Sequence, residues 1–284
     1  MKKVLVIGEN SYVGKNFRSL VDTRYNQSID LKMISVRDET WRNIDFSVFH
    51  SIIYLASIVH LNERKQNTQL YYRINSELPY EIAKKAKKEK VGQFIYISSI
   101  AVYGLDTGVI KENTPLLPKS LYGKSKLLGE KNIKQLVNED FKVLIVRPPM
   151  IFGKDAPGNL IKLLNMVYKT RFFLNIDNQR SMIYIEEFCE YLVQYVLFDV
   201  KGLSFPQSLH YYSTKEIILI FSKIKRTKIN FIYIPIFLKN KLVKLPILSK
   251  IFGNLIIEID ENFESNNKEF LNLSLNKKIK RTLE

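Results

Sequence analysis

Val4-Leu5-Val6-Ile7-Gly8-Glu9-Asn10-Ser11-Tyr12-Val13-Gly14 is the stretch on which the fold turns. Four apolar, mostly β-branched residues read as a buried parallel strand. The chain then enters a turn with glycine at its first and last positions and continues into an amphipathic run through Phe17. Glycine at position 8 permits a tight turn, and Gly14 lets a helix pack close to the strand. Backbone amides of Ser11, Tyr12 and Val13 at the helix start would face a pyrophosphate. The middle position of the G-x-x-G-x-x-G spacing is Ser11, small enough to keep that approach close.

Working outward, the same alternation recurs. Leu31–Val36, Ser51–Leu55, Phe94–Ile97 and Phe141–Val146 are short apolar runs separated by helical patterns, which predicts a parallel sheet of the doubly wound, Rossmann type. The ends of these runs are the candidate binding positions. After the second stands Arg37 followed by Asp38; an arginine there suits the extra phosphate of NADP(H), whereas an acid suits the ribose hydroxyls of NAD(H). After the third, the Leu55-Ala56-Ser57 turn would lie against a bound dinucleotide. Pro148 and Pro149 stop the last run, since proline cannot continue a ladder, and this places Pro149 near a nicotinamide.

The chemistry is carried by Ser98-Ser99 at the end of the fourth run and by Tyr122 and Lys126, four apart behind a helix-capping Ser120. That spacing sets phenol and ammonium on one helix face, and a cation beside Tyr122 is expected to depress its pKa. With Ser99 in the same crevice, the three would form one acid-base unit.

Taken together, Gly8 to Gly14, Leu55-Ala56-Ser57, Asn75, Ser98-Ser99, Val102-Tyr103-Gly104, Tyr122, Lys126 and Arg147 to Gly153 make the chain resemble the extended short-chain dehydrogenase/reductases that act on nucleotide sugars. The resemblance implies that Ser99, Tyr122 and Lys126 are catalytic, that Asn75 orders the site, and that Asn159 and Arg180 hold the nucleotide diphosphate. Dehydratases of the family carry Asp-Glu after the site serine. Here Ile100 and Ala101 occupy those positions, so elimination lacks its proton carriers. Met150 replaces an asparagine prominent in galactose epimerases. The motifs at Arg147–Gly153, Asn178–Ser181 and Phe252–Leu255 are similar to those of capsule-synthesis reductases, which implies reduction of the C4 ketone of a UDP-4-keto-6-deoxy-N-acetylhexosamine. The alternatives are a UDP-hexose 4-epimerase with retained NAD and a non-catalytic dinucleotide-binding sensor.

The 284 residues suffice for a Rossmann domain over 1–153, with a strand-helix unit near 182–197 returning to it, and a smaller α/β substrate domain over 154–284. The single cysteine, Cys189, excludes an internal disulfide framework and fits a cytoplasmic protein. No metal site is expected. The first apolar run is too short for a signal peptide and no run reaches a membrane span. A net charge of +16 is spread along helix faces without a nucleic-acid motif, so a diphosphate-bearing substrate is the favoured anionic partner. The basic apolar segment Ile236–Phe252 is read as packing on the substrate domain, with peripheral membrane contact as the alternative. A homodimer is the family habit.

Overall fold

Lys2–Ile7 forms β1, and four of its six side chains are fully buried because strands on both sides leave only sheet faces to cover. The computed structural model describes residues 1–59, 67–242, 245–258 and 273–284. Ile29–Ile34 is β2, Ser51–Tyr54 β3, Gln93–Ile97 β4, Lys142–Val146 β5 and Gly202–Ser204 β6. They pair in the order β6-β5-β4-β3-β1-β2, all parallel. Strand order reverses between β1 and β3, and ligands of open α/β sheets bind beyond the carboxyl ends of the strands at such a reversal. Gly8 and the Leu55–Ser57 turn stand at those two ends.

The sheet is closed by helices Tyr12–Leu20, Leu78–Lys88, Leu121–Lys134 and Ile185–Leu197. Trp41, Phe46, Phe94 and Phe141 fill its apolar layer with almost no exposure. Gln93, buried at the start of β4, accepts from the Ser51 hydroxyl at 2.7 Å and donates to Tyr195 O and Val200 O at 2.8 and 2.9 Å. One side chain therefore ties two strands to the end of the helix Ile185–Leu197 and the residues just after it. Cys189 is fully buried on that helix.

The chain divides into two discontinuous units. One comprises Met1–Gly104, Pro115–Pro149 and Phe188–Pro206; the other comprises Leu105–Thr114, Met150–Glu187 and Gln207–Glu284. The strand Met182–Tyr184 pairs with Met150–Phe152 in the second unit, and the late strand that joins the large sheet is Gly202–Ser204. The loop before Ser120 contributes Gly108–Ile110 to the second unit, in register with Leu255–Ile257. A third pair there joins Phe172–Leu174 to Asn230–Ile232. The C-terminal helix Leu275–Leu283 is anchored by Lys278, whose buried ammonium meets the Glu187 carboxylate and Tyr212 Oη, the latter at 3.0 Å. Of the segment 236–252, Ile236–Leu242 and Pro246–Phe252 are helical, while Val243 and Lys244 lie outside the described residues.

Candidate active site

The glycine turn is built as its residues dictate. Gly8 sits at φ 117°, and a Cβ there would lie 2.8 Å from Ala56 N. The lack of a side chain is what lets the turn after β1 meet the turn after β3, where Ile7 O accepts from Leu55 N at 2.8 Å and Ala56 N at 3.0 Å. Ser11, in extended backbone at φ −70°, accepts from Gly14 N and caps the helix Tyr12–Leu20. An ordinary L-residue adopts that conformation, so serine in place of glycine costs nothing, and its hydroxyl satisfies one amide of the first turn. No acid sits in that turn. The open positive end of the helix, beside a turn that a Cβ would fill, fits a dinucleotide pyrophosphate held by Gly8, Ser11, Tyr12, Val13 and Gly14.

Beyond β2, the exposed Arg37 has its side chain at the surface, whereas Asp38 caps the short helix Glu39–Asn43 and accepts from both the amide and hydroxyl of Thr40. These bonds, the Thr40 hydroxyl first, hold the Asp38 carboxyl below its usual range.

Asn75 is the hub of a buried polar cluster beyond β3. It is fully buried in a wide π-type turn, Arg73–Glu77, inside otherwise α-helical chain. Its Oδ1 accepts from Ser57 Oγ at 3.1 Å and Ile58 N at 3.0 Å, and its Nδ2 donates to Ile58 O and Ser125 Oγ, both at 3.0 Å. Its own carbonyl accepts from Tyr96 Oη. The Leu121–Lys134 helix approaches this carbonyl so closely that a Cβ on Gly129 would lie 2.4 Å from it.

On that helix Tyr122 is half-buried, with the hydroxyls of Ser99 and Ser57 close enough to its phenol to act on its ionisation. Burial nonetheless dominates and pushes the phenol up to about 12, the two serines opposing it. The expected depression of the Tyr122 pKa by Lys126 is therefore corrected. The Lys126 ammonium donates to Ile97 O at 2.8 Å and lies 4.9 Å from the centre of the Tyr96 ring. It is 1 % exposed, and burial lowers it to about 7 against the attraction of Glu130, one turn further along. Ser99 itself caps the turn Ile100–Tyr103 by accepting from Ala101 N at 3.2 Å.

Under this site runs a second buried network that the sequence reading missed. Arg147 donates to both Glu130 oxygens, at 2.9 and 2.6 Å, and to Tyr103 Oη at 2.7 Å, while Ser98 Oγ donates to Glu130. The i, i+4 spacing of Tyr122, Lys126 and Glu130 was the signal available.

The family model described as "NAD dependent epimerase/dehydratase family" matches residues 4–202, the span that holds all of this geometry in order. The chain belongs to that family. As a member of the NAD-dependent epimerase/dehydratase family it is an enzyme of the extended short-chain dehydrogenase/reductase type. It is similar to the N-acetyl-alpha-D-glucosaminyl-diphospho-ditrans,octacis-undecaprenol 4-epimerase of Escherichia coli, 26% identical over 75% of this chain and 67% of that one. It is also similar to the spore coat polysaccharide biosynthesis protein SpsK of Bacillus subtilis, 26% identical over 76% and 75% of the two chains. Among solved structures, UDP-glucuronic acid 4-epimerase from Bacillus cereus in complex with NAD superimposes with TM-score 0.73 at 16% identity, over 98% of this chain and 96% of that one. At that identity the likeness speaks to the fold.

In the second unit, Asn159 is exposed at the start of the helix Asn159–Thr170 and lines a shallow pocket with Met150, Phe152 and Gly158. Arg180 is half-buried and its guanidinium donates to Gly253 O at 2.9 Å and Ser249 O at 3.4 Å, at the end of the helix Pro246–Phe252. Burial lowers its pKa, with Asp106 opposing. Pro149 is buried just past β5.

Proposed function

We propose that this enzyme uses a nicotinamide dinucleotide to reduce the C4 ketone of a UDP-4-keto-6-deoxy-N-acetylhexosamine in the cytoplasmic assembly of a surface polysaccharide. The observation that carries the reading is the convergence of the Tyr122 phenol with the Ser57 and Ser99 hydroxyls beyond the carboxyl ends of β3 and β4. A nicotinamide bound there would supply hydride to the carbonyl carbon. Tyr122 gives its proton to the carbonyl oxygen, and the resulting phenolate is reprotonated from solvent. Ser99 donates to that same oxygen and fixes its position; Ser57, Ala56 and Leu55 line the cofactor side. A phenol near 12 keeps its proton at neutral pH, which suits a donor acting in the reductive direction. Lys126 would bind the nicotinamide ribose. Asn159 and Arg180 hold the substrate diphosphate, the fork of Arg180 matching phosphate oxygens.

Commitment of Asp38 to Thr40 supports NADP(H), because the carboxylate is engaged locally while Arg37 remains exposed to pair with a phosphate. A second reading, 4-epimerisation with retained NAD, is favoured by the named activities of relatives such as the Escherichia coli 4-epimerase. Incubation with UDP-4-keto-6-deoxy-N-acetylglucosamine and either NADPH or NADH distinguishes the two. Stoichiometric NADPH consumption with formation of a UDP-N-acetyl-6-deoxyhexosamine is expected; NAD that co-purifies and interconversion of UDP-hexoses without net cofactor use would overturn the reductase in favour of the epimerase.

A further inference from the structure

The basic apolar segment Ile236–Phe252 and the strand Asn230–Ile232 before it have two faces. The inner face does pack: Phe252 is buried 5.0 Å from the centre of the Phe173 ring, and Phe231 meets Phe173 edge-on at 6.4 Å. The outer face does not. Tyr233 is 82% exposed, Phe237 65% and Leu245 52%, with Leu238 and Ile232 also open. In the strand pair Phe172–Leu174 with Asn230–Ile232, Phe173 and Phe231 share one side by register, so Phe172, itself 52% exposed, lies with Ile232 on the other. An apolar outer face of this kind on one short stretch of chain marks an interaction surface.

Charge says what covers it. From Ile217 to Ile257 the chain holds no aspartate or glutamate, while basic residues recur throughout. Lys223 is exposed in the last turn of the helix Thr214–Ile224, Lys225, Arg226 and Lys228 are exposed on the turn that leads into this strand, and Lys241 and Lys250 are exposed on the two short helices after it. Arg171 donates to Thr227 Oγ1, which holds that basic turn against the start of the Phe172 strand. A second copy of the chain would bring the same positive charge onto the patch and be repelled. Nucleic acid would satisfy the cations and could stack on Tyr233 and Phe237, but offers nothing to the aliphatic Ile232, Leu238 and Leu245. A lipid surface rich in anionic headgroups satisfies both chemistries, with acyl chains for the aromatic and aliphatic side chains and headgroups for the lysines.

We propose that the outer face formed by Ile232, Tyr233, Phe237, Leu238 and Leu245, with the basic turn beside it, is a peripheral docking surface for anionic membrane. No helix among the described residues is long and apolar enough to cross a membrane, so the contact is with one leaflet. This inference stands independently of which sugar is turned over, and none of the residues involved belongs to the candidate active site.

The test uses the full chain and sedimentation with vesicles of phosphatidylcholine alone or with phosphatidylglycerol at about one third of the lipid. The expected result is partitioning at least about tenfold stronger onto the anionic vesicles, falling steeply between about 0.1 and 0.5 M salt as the charges are screened. The double variant Tyr233→Ser/Phe237→Ser should lower that partitioning by about tenfold or more, with an unchanged melting profile because both side chains are exposed. Lys225→Gln/Arg226→Gln/Lys228→Gln should remove most of the preference for anionic over neutral vesicles. Equal binding to both vesicle types, or a Tyr233→Ser/Phe237→Ser variant that binds as the parent does, would overturn the proposal. So would loss of dimerisation in that variant without any vesicle binding, or retention on single-stranded DNA with none on vesicles.

Discussion

Arg147 closes on Glu130 through two bonds, Nε to one carboxylate oxygen at 2.9 Å and Nη2 to the other at 2.6 Å, with 3% and 1% of the two residues exposed. The pair fastens the chain just after β5 to the helix that carries Tyr122 and Lys126. Tyr103 and Ser98 occupy further hydrogen-bonding positions of the pair. Replacing Arg147 by leucine leaves a buried carboxylate unpaired, and the expected loss is about 3–5 kcal/mol in equilibrium urea unfolding. The double variant Arg147→Leu/Glu130→Leu should recover most of it. A single variant costing under about 1 kcal/mol would mean that water reaches Glu130 and that the pair does not anchor the helix.

Tyr122→Phe removes the proposed proton donor and leaves the ring. Turnover should fall by about 10²–10⁴-fold or more while dinucleotide affinity, followed by tryptophan or nicotinamide fluorescence, changes little. Activity within about tenfold of the parent would transfer the proton-donating role elsewhere.

Ser57 and Ser99 both hold the phenol below where burial alone would put it. In Ser57→Ala, which spares the Ser99 hydroxyl assigned to the substrate, the alkaline limb of the kcat/KM profile for reduction should move to higher pH, because a phenol that is harder to ionise remains a donor further up the scale. A limb that stays in place or moves down would separate it from Tyr122.

Lys126 gives a stability test that needs no substrate. Its folded pKa is about 7 against an ordinary value of 10.5, so between these values the unfolded chain binds more protons than the folded one. Folding stability therefore gains from this group as pH rises from about 7 toward 10, and the gain is absent below 7, where both states are protonated. In Lys126→Met that gain disappears. The difference in unfolding free energy between parent and variant, measured across this range, should change with pH in the sense that favours the parent at higher pH. A flat difference would place the ammonium in contact with water.

Gly8 is the most exacting position of the turn. Gly8→Ala puts a methyl group into the backbone of Ala56 and holds alanine at φ 117°. A stability loss on the order of 1–3 kcal/mol is expected, together with weakened dinucleotide binding by calorimetry. A variant as stable as the parent would show that the turn yields and that β1 and β3 need not meet so closely.

The sequence by itself determined five of the six strands of the parallel sheet, because buried parallel strands must be short apolar runs and each of these ends in a recognisable turn. The sixth, Gly202–Ser204, is too short and mixed to stand out, and the strand expected near Met182 pairs elsewhere. It also set Tyr122 and Lys126 on one helical face, since helical periodicity is a local property. What it could not supply was the company each group keeps. Lys126 turns to Ile97 O and the Tyr96 ring instead of depressing the Tyr122 phenol, Asp38 is taken up by Thr40, and Arg180 reaches the carbonyls ending a distant helix. The Asn75 hub and the Glu130–Arg147 pair join residues far apart in the chain. Charge states in such places depend on desolvation and on neighbours brought in from elsewhere, and both exist only once the chain is folded.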